Sequence, residues 1–256
     1  MVHKLIPLAD WFPADSWPLL ACPDCSSGIT IDRQRISQFE TFESEESHGH
    51  EDFEPLWVHG HFHGQVNCGN SRCQLRIVVV GDFKVDYADG RGRIEYLGQQ
   101  WDEYYKLKFT HPPMAIMSRA EGVPDEVWSL VTDASRLAWV DPAAASGRLR
   151  AALESLMDSF KITKLKPNRK PRNLHDRLKD FETKKPDAAQ FFLAVKWVGN
   201  EGAHGNRGLT SVDVLESAEL MEHGFQLLYN KSAQLLQKRA AAINKARRLP
   251  RTRTKK

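Results

Sequence analysis

LWVHGHFHGQVNCGNSRCQLRIVVVGDFKVDY, residues Leu56–Tyr87, decides the fold of the N-terminal half. Its first arm, Leu56–Cys68, alternates in character, and its last arm, Leu75–Tyr87, carries a β-branched run of strand length. Between the arms Cys68 and Cys73 enclose Gly69 and Asn70, residues suited to a tight turn. The stretch therefore reads as a β-hairpin with a pair of cysteines at its bend. His59, His61 and His63 recur at every second position and share one face of the first strand. Neighbours on such a row stand about 7 Å apart and do not converge easily on one ion, which leaves a solvated face open to a partner.

A second close pair lies about 40 residues upstream, where CPDC places Cys22 and Cys25 on either side of Pro23 and Asp24. No other cysteine is present among the 256 residues. Two knuckles of two thiolates suit a tetrahedral ion, each pair gripping the metal across a turn while strands such as GITID bring the turns together. Zinc is the expected metal, in a structural role, because four cysteine ligands leave no coordination position for water. Two disulfides or four free thiols are the alternatives, and a cytosolic setting disfavours the disulfides. The expectation is a β-rich, zinc-ribbon-containing region over residues 1–110.

Composition is that of an ordinary globular chain, 41% hydrophobic and 27% charged. No stretch reaches the roughly 18 apolar residues of a membrane span. Pro7, Pro13 and Pro18 interrupt the N-terminus before a signal-peptide core can form, so a cytoplasmic protein with no membrane partner is expected. The formal net charge of +3 hides a polarity along the chain. Lys238–Lys256 holds nine basic residues and no acidic one, and Lys161–Lys185 holds ten against three acids. The first is expected to be a basic tail, and the second to contain a loop; both can take the phosphates of RNA or DNA through charge alone. Phe39–Glu54, by contrast, is acidic and polar and reads as a mobile loop.

Past Asp89 the periodicity changes. Residues 89–115 read as a turn and strand-rich connector ending at Pro112 and Pro113, and helical patterns follow. Pro124 and Asp125 open a first helix with apolar residues at Val127, Leu130, Val131, Ala134 and Leu137. Leu149, Leu153, Leu156 and Phe160 line the buried stripe of a second, on which Arg150 and Glu154 stand four residues apart. NLHDRLKDFE is a short third, PDAAQFFLAVKWVGNEGAH a fourth, and the stretch from Thr210 to Arg248 reads as one long fifth with a Thr or Ser cap. The fold class is thus α+β, with an N-terminal β-rich region, a helical bundle over 111–237 and the tail from 238.

On the fourth helix Lys196, Asn200 and His204 fall at steps of four and line one stripe. PDEVWSLVTDASRLAWVDPAAASGRLRAALESLMD, LAVKWVGNEGAHGN and TSVDVLESAELMEHGFQLLY together resemble the helical domain-of-unknown-function family 4145, over about Pro112–Tyr229. An N-terminal zinc ribbon fits that family's usual organisation. The resemblance implies a bacterial setting near restriction and antiphage defence loci, a protein partner from such a system, and a homodimer through the helical domain. The family is similar to the HEPN superfamily, many of whose members are metal-independent ribonucleases that use an Arg, an Asn and a His one turn later across a dimer. Asn200 and His204 fit that pattern.

The position before Asn200 is Gly199 rather than Arg, so Lys196 or Arg150 would have to supply the cation that stabilises phosphate charge. The bland alternative is a polar seam, with Asn200 and His204 satisfying buried groups or pairing with Glu154 while Gly199, Gly202 and Ala203 permit close helix approach. Three readings follow. They are a zinc-containing binding module that holds RNA or DNA through its basic segments, a ribonuclease using His204, Asn200, Lys196, Arg150 and Glu154, and a small-ligand sensor. The sensor is the weakest, because no Gly-rich phosphate loop is present. Nucleotide-hydrolase, serine-hydrolase, zinc-protease and EF-hand motifs are also missing.

Overall fold

The computed structural model describes residues 3–88, 92–166, 168–204 and 208–247, with the backbone alone described at 201–204, 231–234, 237 and 238. The chain enters through a short helix, α1 (Ile6–Ala9), and a two-residue strand, β1 (Phe12–Pro13). Strands β2 (Ile29–Glu40), β3 (His59–Cys68), β4 (Arg76–Tyr87), β5 (Ile94–Tyr96) and β6 (Gln99–His111) follow. They form one antiparallel sheet in the order β1-β6-β4-β3-β2, with β5 paired to β6. The hairpin expected around Cys68 and Cys73 is β3–β4, in register from His59 opposite Lys84 to Asn67 opposite Arg76. Alternation sends Phe62, Val66, Ile77, Val79, Phe83 and Val85 into the core and the three histidines to the outside.

Two expectations change here. Residues 94–111 do not merely connect the two halves, because β6 pairs with β4 from Val78 opposite His111 to Tyr87 opposite Trp101 and buries Trp101, Tyr105 and Leu107. The acidic stretch is not a featureless loop either. It forms α2 (Phe42–Ser47), where the Thr41 hydroxyl accepts from the Ser44 amide and Glu43 and Glu45 sit in the first turn, where negative charge favours a helix N-terminus. The Ser44 hydroxyl is buried, donating to Glu40 and accepting from the His59 amide, which ties this helix to the end of β3.

The helices that follow are α3 (Asp125–Leu137), α4 (Pro142–Ser159), α5 (Leu174–Lys184), α6 (Pro186–His204), α7 (Ser211–Tyr229) and α8 (Lys231–Ala246). Helix α4 starts cleanly because Asp141 caps the Ala144 amide at 2.9 Å and Pro142 fits the first turn. It is the axis of the bundle, packed on α3, α5, α6 and α7, with Leu149, Leu153, Leu156 and Met157 fully buried. Each such side chain contributes on the order of 2 kcal/mol of burial. Helices α6 and α7 approach closely at Gly224, where an added Cβ would come within 2.4 Å of the Phe192 ring.

The expected long fifth helix is two. Helix α7 begins with a reciprocal Thr210–Asp213 capping box and stops at Asn230, whose ψ of 89° leaves the helical region. Helix α8 carries on from there with little cover: Leu235 and Leu236 are each 65% exposed. The stretch expected as a basic tail therefore starts inside α8, and residues 248–256 lie outside the described ones. Sheet and bundle share one continuous core. Helix α1 packs on both α7 and β6, and the buried cluster runs from Phe62 and Val79 through Met114 and Ile116 to Leu149 and Phe225.

Candidate functional site

The four cysteines converge at one end of the sheet. In the first knuckle the Ser26 amide donates to the Cys22 carbonyl at 2.9 Å and the Cys22 amide to Ser27 at 2.7 Å, with Ser26 at a φ of 61°. In the second, the amides of Cys73 and Gln74 both donate to the Asn70 carbonyl at 3.0 Å, and Gln74 has a φ of 52°. Each chain thus reverses one residue after its second cysteine by entering the left-handed region. A bond from the Gly69 amide to the Gly28 carbonyl, 2.8 Å, ties one knuckle to the other.

The result is a cluster in which all four sulfur atoms lie within 4.8 Å of one another, with Cys22 and Cys73 at 3.8 Å and Cys25 and Cys68 at 3.4 Å. Metal–sulfur bonds of about 2.3 Å in a tetrahedron require sulfur atoms about 3.8 Å apart, so the donor set fits one ion. All four are free thiols, and those separations are far beyond the roughly 2.05 Å of a disulfide. The Ser27 hydroxyl and amide stabilise the Cys25 thiolate and hold its thiol down at about 6, whereas burial and the neighbouring sulfur atoms push Cys68 up and Cys73 up to about 12, so without an ion the negative charge gathers on Cys25. Asn70 adds its amide to Cys68, 3.4 Å, and its side chain to Cys25, 3.7 Å. Among the described residues no other cluster of three or more His, Cys, Asp or Glu draws together in this way; the outward His61 instead pairs with Asp82 at 3.0 Å.

The second place of interest is the stripe on α6. Lys196 is only 5% exposed, and its ammonium lies 3.0 Å from the centre of the Trp197 ring. Burial, followed by the nearby Arg150 charge, lowers its pKa. Lys196 is thus turned away from the role of a phosphate contact. Asn200 Oδ1 accepts a 2.7 Å bond from Arg150 Nη1, and Arg150 Nε faces Glu154 at 3.8 Å, so Arg150 stands between Asn200 and Glu154 where a direct pairing was expected. Gly199 is buried against Ser146 and Arg150 of α4. The side chain of His204 lies outside the described ones, as do those of Gly202 and Ala203.

Arg150 and Glu154 also line a groove of about 450 Å³ between α4 and the segment leading into α5. Lys164, Pro171 and Arg172 form its far wall, so the basic segment rims the patch that carries Arg150. Residues 132–249 of the chain match a family described as Domain of unknown function (DUF4145), and residues 10–110 match another, Domain of unknown function (DUF8608). The helical half is a DUF4145 domain. The cysteine cluster lies within the DUF8608 match, and the groove and its stripe within the DUF4145 domain. No curated protein and no solved structure matches the chain.

The groove of the DUF4145 domain is built around Arg177, 3% exposed, which binds Asp158 and donates to the Ile162 carbonyl at 3.0 Å. Burial would raise the Asp158 carboxyl, yet hydrogen bonds from Lys164 and Arg177 outweigh it and hold the group below the usual carboxylate range. Arg172 pairs with Asp180 at 2.6 Å and Lys166 with Asp176 at 3.4 Å. Lys161, Arg169 and Lys170 are exposed and make no ion pair among the described residues. Neither Arg177 nor Asp158 stood out in the sequence, because 19 residues and a loop separate them and no periodic pattern links such partners. No helix is long and apolar enough to cross a membrane among the described residues.

Proposed function

We propose that the chain is a binding module in which a structural zinc ion staples the DUF8608 region and the basic segments of the DUF4145 domain hold the phosphate backbone of RNA or DNA. The observation that carries this reading is the division of labour among the cations of Lys161–Lys185. Lys164, Lys166, Arg172, Arg177 and Lys179 are paired with carboxylates, and Lys164, Arg172 and Arg177 line the groove, while Lys161, Arg169, Lys170, Lys184 and Lys185 are exposed and make no ion pair among the described residues. Unpaired surface cations cost nothing to free for a phosphate, and their binding releases counterions from the nucleic acid. Zinc is the metal that best suits four cysteine thiolates at these separations and needs no redox partner. Such a module, alone or as a homodimer, fits the defence-related systems to which the family resemblance points.

A second reading rests on one observation. Arg150 donates to Asn200 from α4, so a guanidinium reaches the α6 stripe where the sequence lacks an arginine beside Asn200. A metal-independent ribonuclease would use Arg150 to stabilise phosphate charge, in place of Lys196, which is buried against Trp197, and His204 to move the proton of the attacking 2′-hydroxyl, with Asn200 and Glu154 positioning Arg150. Incubation of metal-loaded protein with RNA in magnesium-free buffer, beside His204→Ala and Arg150→Ala, separates the two readings. Salt-sensitive binding without cleavage, equal in all three, is the outcome expected of the binding module. Products ending in 2′,3′-cyclic phosphate that disappear in either variant would replace it with the ribonuclease.

A further inference from the structure

The outward face of the sheet carries rings where an inert face would carry short polar side chains. His61 and His63 flank the buried Phe62 on β3. The register places Phe39 of β2 opposite His61, Val80 of β4 opposite His63, and Phe109 of β6 opposite Val80. The rings therefore lie on two neighbouring rungs, Phe39 and His61 on one and His63, Val80 and Phe109 on the other, which together span four strands. Phe39 is 51% exposed and Phe109 41%, and the Phe39 ring centre lies 5.6 Å from that of His61 and 6.2 Å from that of His63. Both phenylalanines lie near the ends of their strands and leave apolar ring surface in water, and two of them beside two imidazoles form a patch that invites cover.

The charge on this face says what kind of cover. Asp82, at the centre, is already engaged by His61 at 3.0 Å and by Lys108 at 3.1 Å, so its negative charge is compensated in place. Planar rings with a neighbouring cation suit nucleobases joined by phosphates, because every base offers a π-face and every linkage a negative charge. A duplex keeps its bases stacked on one another and cannot present them to such a surface; a single strand can. We propose that the open face of the sheet is a stacking platform for the bases of single-stranded nucleic acid, with Phe39, His61, His63 and Phe109 as the rings. This deepens the nucleic-acid reading given above and rests on it, while drawing on a part of the molecule that the groove does not include.

Fluorescence anisotropy of the full-length, metal-loaded protein with a labelled oligouridylate and with an RNA duplex tests the platform. Phe39→Ala and Phe109→Ala should each weaken oligouridylate binding about tenfold and leave duplex binding unchanged. Their salt dependence should match that of the parent, since rings release no counterions. In the parent protein the imidazole resonances of His61 and His63 should shift on addition of oligouridylate and stay in place with duplex, a readout that needs no variant. Unchanged affinity in both variants, or unmoved imidazole resonances with oligouridylate bound, overturns the platform and leaves the groove reading standing. Absence of binding to either nucleic acid overturns both.

Discussion

The cysteine cluster and the α6 stripe both gather polar side chains from distant parts of the chain, yet they are built in opposite ways. In the cluster four like groups point at one centre, with no counter-charge among them but amides and a serine hydroxyl. Around the stripe the described charged groups have partners: Arg150 with Asn200 and Glu154, Arg177 with Asp158, Lys196 with the Trp197 ring. Convergence without compensation calls for a positive ion; compensation without convergence makes a structural wall. That difference separates a converging set of donors from a set whose charges are already paired, and it leaves Lys161, Arg169 and Lys170 among the exposed cations that make no ion pair among the described residues.

Removing the ion should break the comparison most severely. A strong chelator, or Cys22→Ser, should release metal binding energy on the order of 10 kcal/mol and melt the knuckle end of the sheet. The expected signs are a large fall in Tm by circular dichroism and one metal lost per chain by elemental analysis; a chelated protein that melts unchanged would show that the thiols do not need an ion.

On the wall side, Arg177→Ala leaves Asp158 without its buried partner and should cost about 3 kcal/mol in a urea titration. Gly224→Ala sharpens the reading of the bundle itself. The new methyl must displace the Phe192 ring, at 2.4 Å, and should cost about 2 kcal/mol, whereas an equal stability would mean that α6 and α7 can part. Asn200→Ala, which removes a half-buried acceptor while Arg150 keeps Glu154, should cost only about 1 kcal/mol.

The smallest effect concerns pH. The Asp158 carboxyl titrates lower folded than unfolded, so its contribution is complete above the ordinary carboxylate range and fades as pH falls through its folded value. Asp158→Asn should flatten that part of the acid limb of a stability profile, and an unaltered limb would locate the acid sensitivity elsewhere.

Much of the molecule was legible in its sequence, and the boundary has a physical cause. The cysteine pairs, the β3–β4 hairpin and helices α3 to α6 announce themselves through spacing and periodicity within one short window. The break at Asn230 was invisible, because helical residues continue on both sides and only a single backbone angle departs. Helix α2 was masked by acidic composition, although its Thr41 cap and first-turn glutamates were there to be read. The Arg150–Asn200 bond and the patch that holds Phe39 and Phe109 join residues dozens of positions apart, and no single-chain periodicity specifies such partners.

The most direct test of the central claim is the salt dependence of RNA binding by the metal-loaded protein and by a variant with Lys161, Arg169 and Lys170 all changed to alanine. If these cations hold phosphates, the slope of log affinity against log salt should become shallower by about 2 in the variant, with thermal stability unchanged. An identical slope in both proteins would contradict the account and remove Lys161, Arg169 and Lys170 from any binding role.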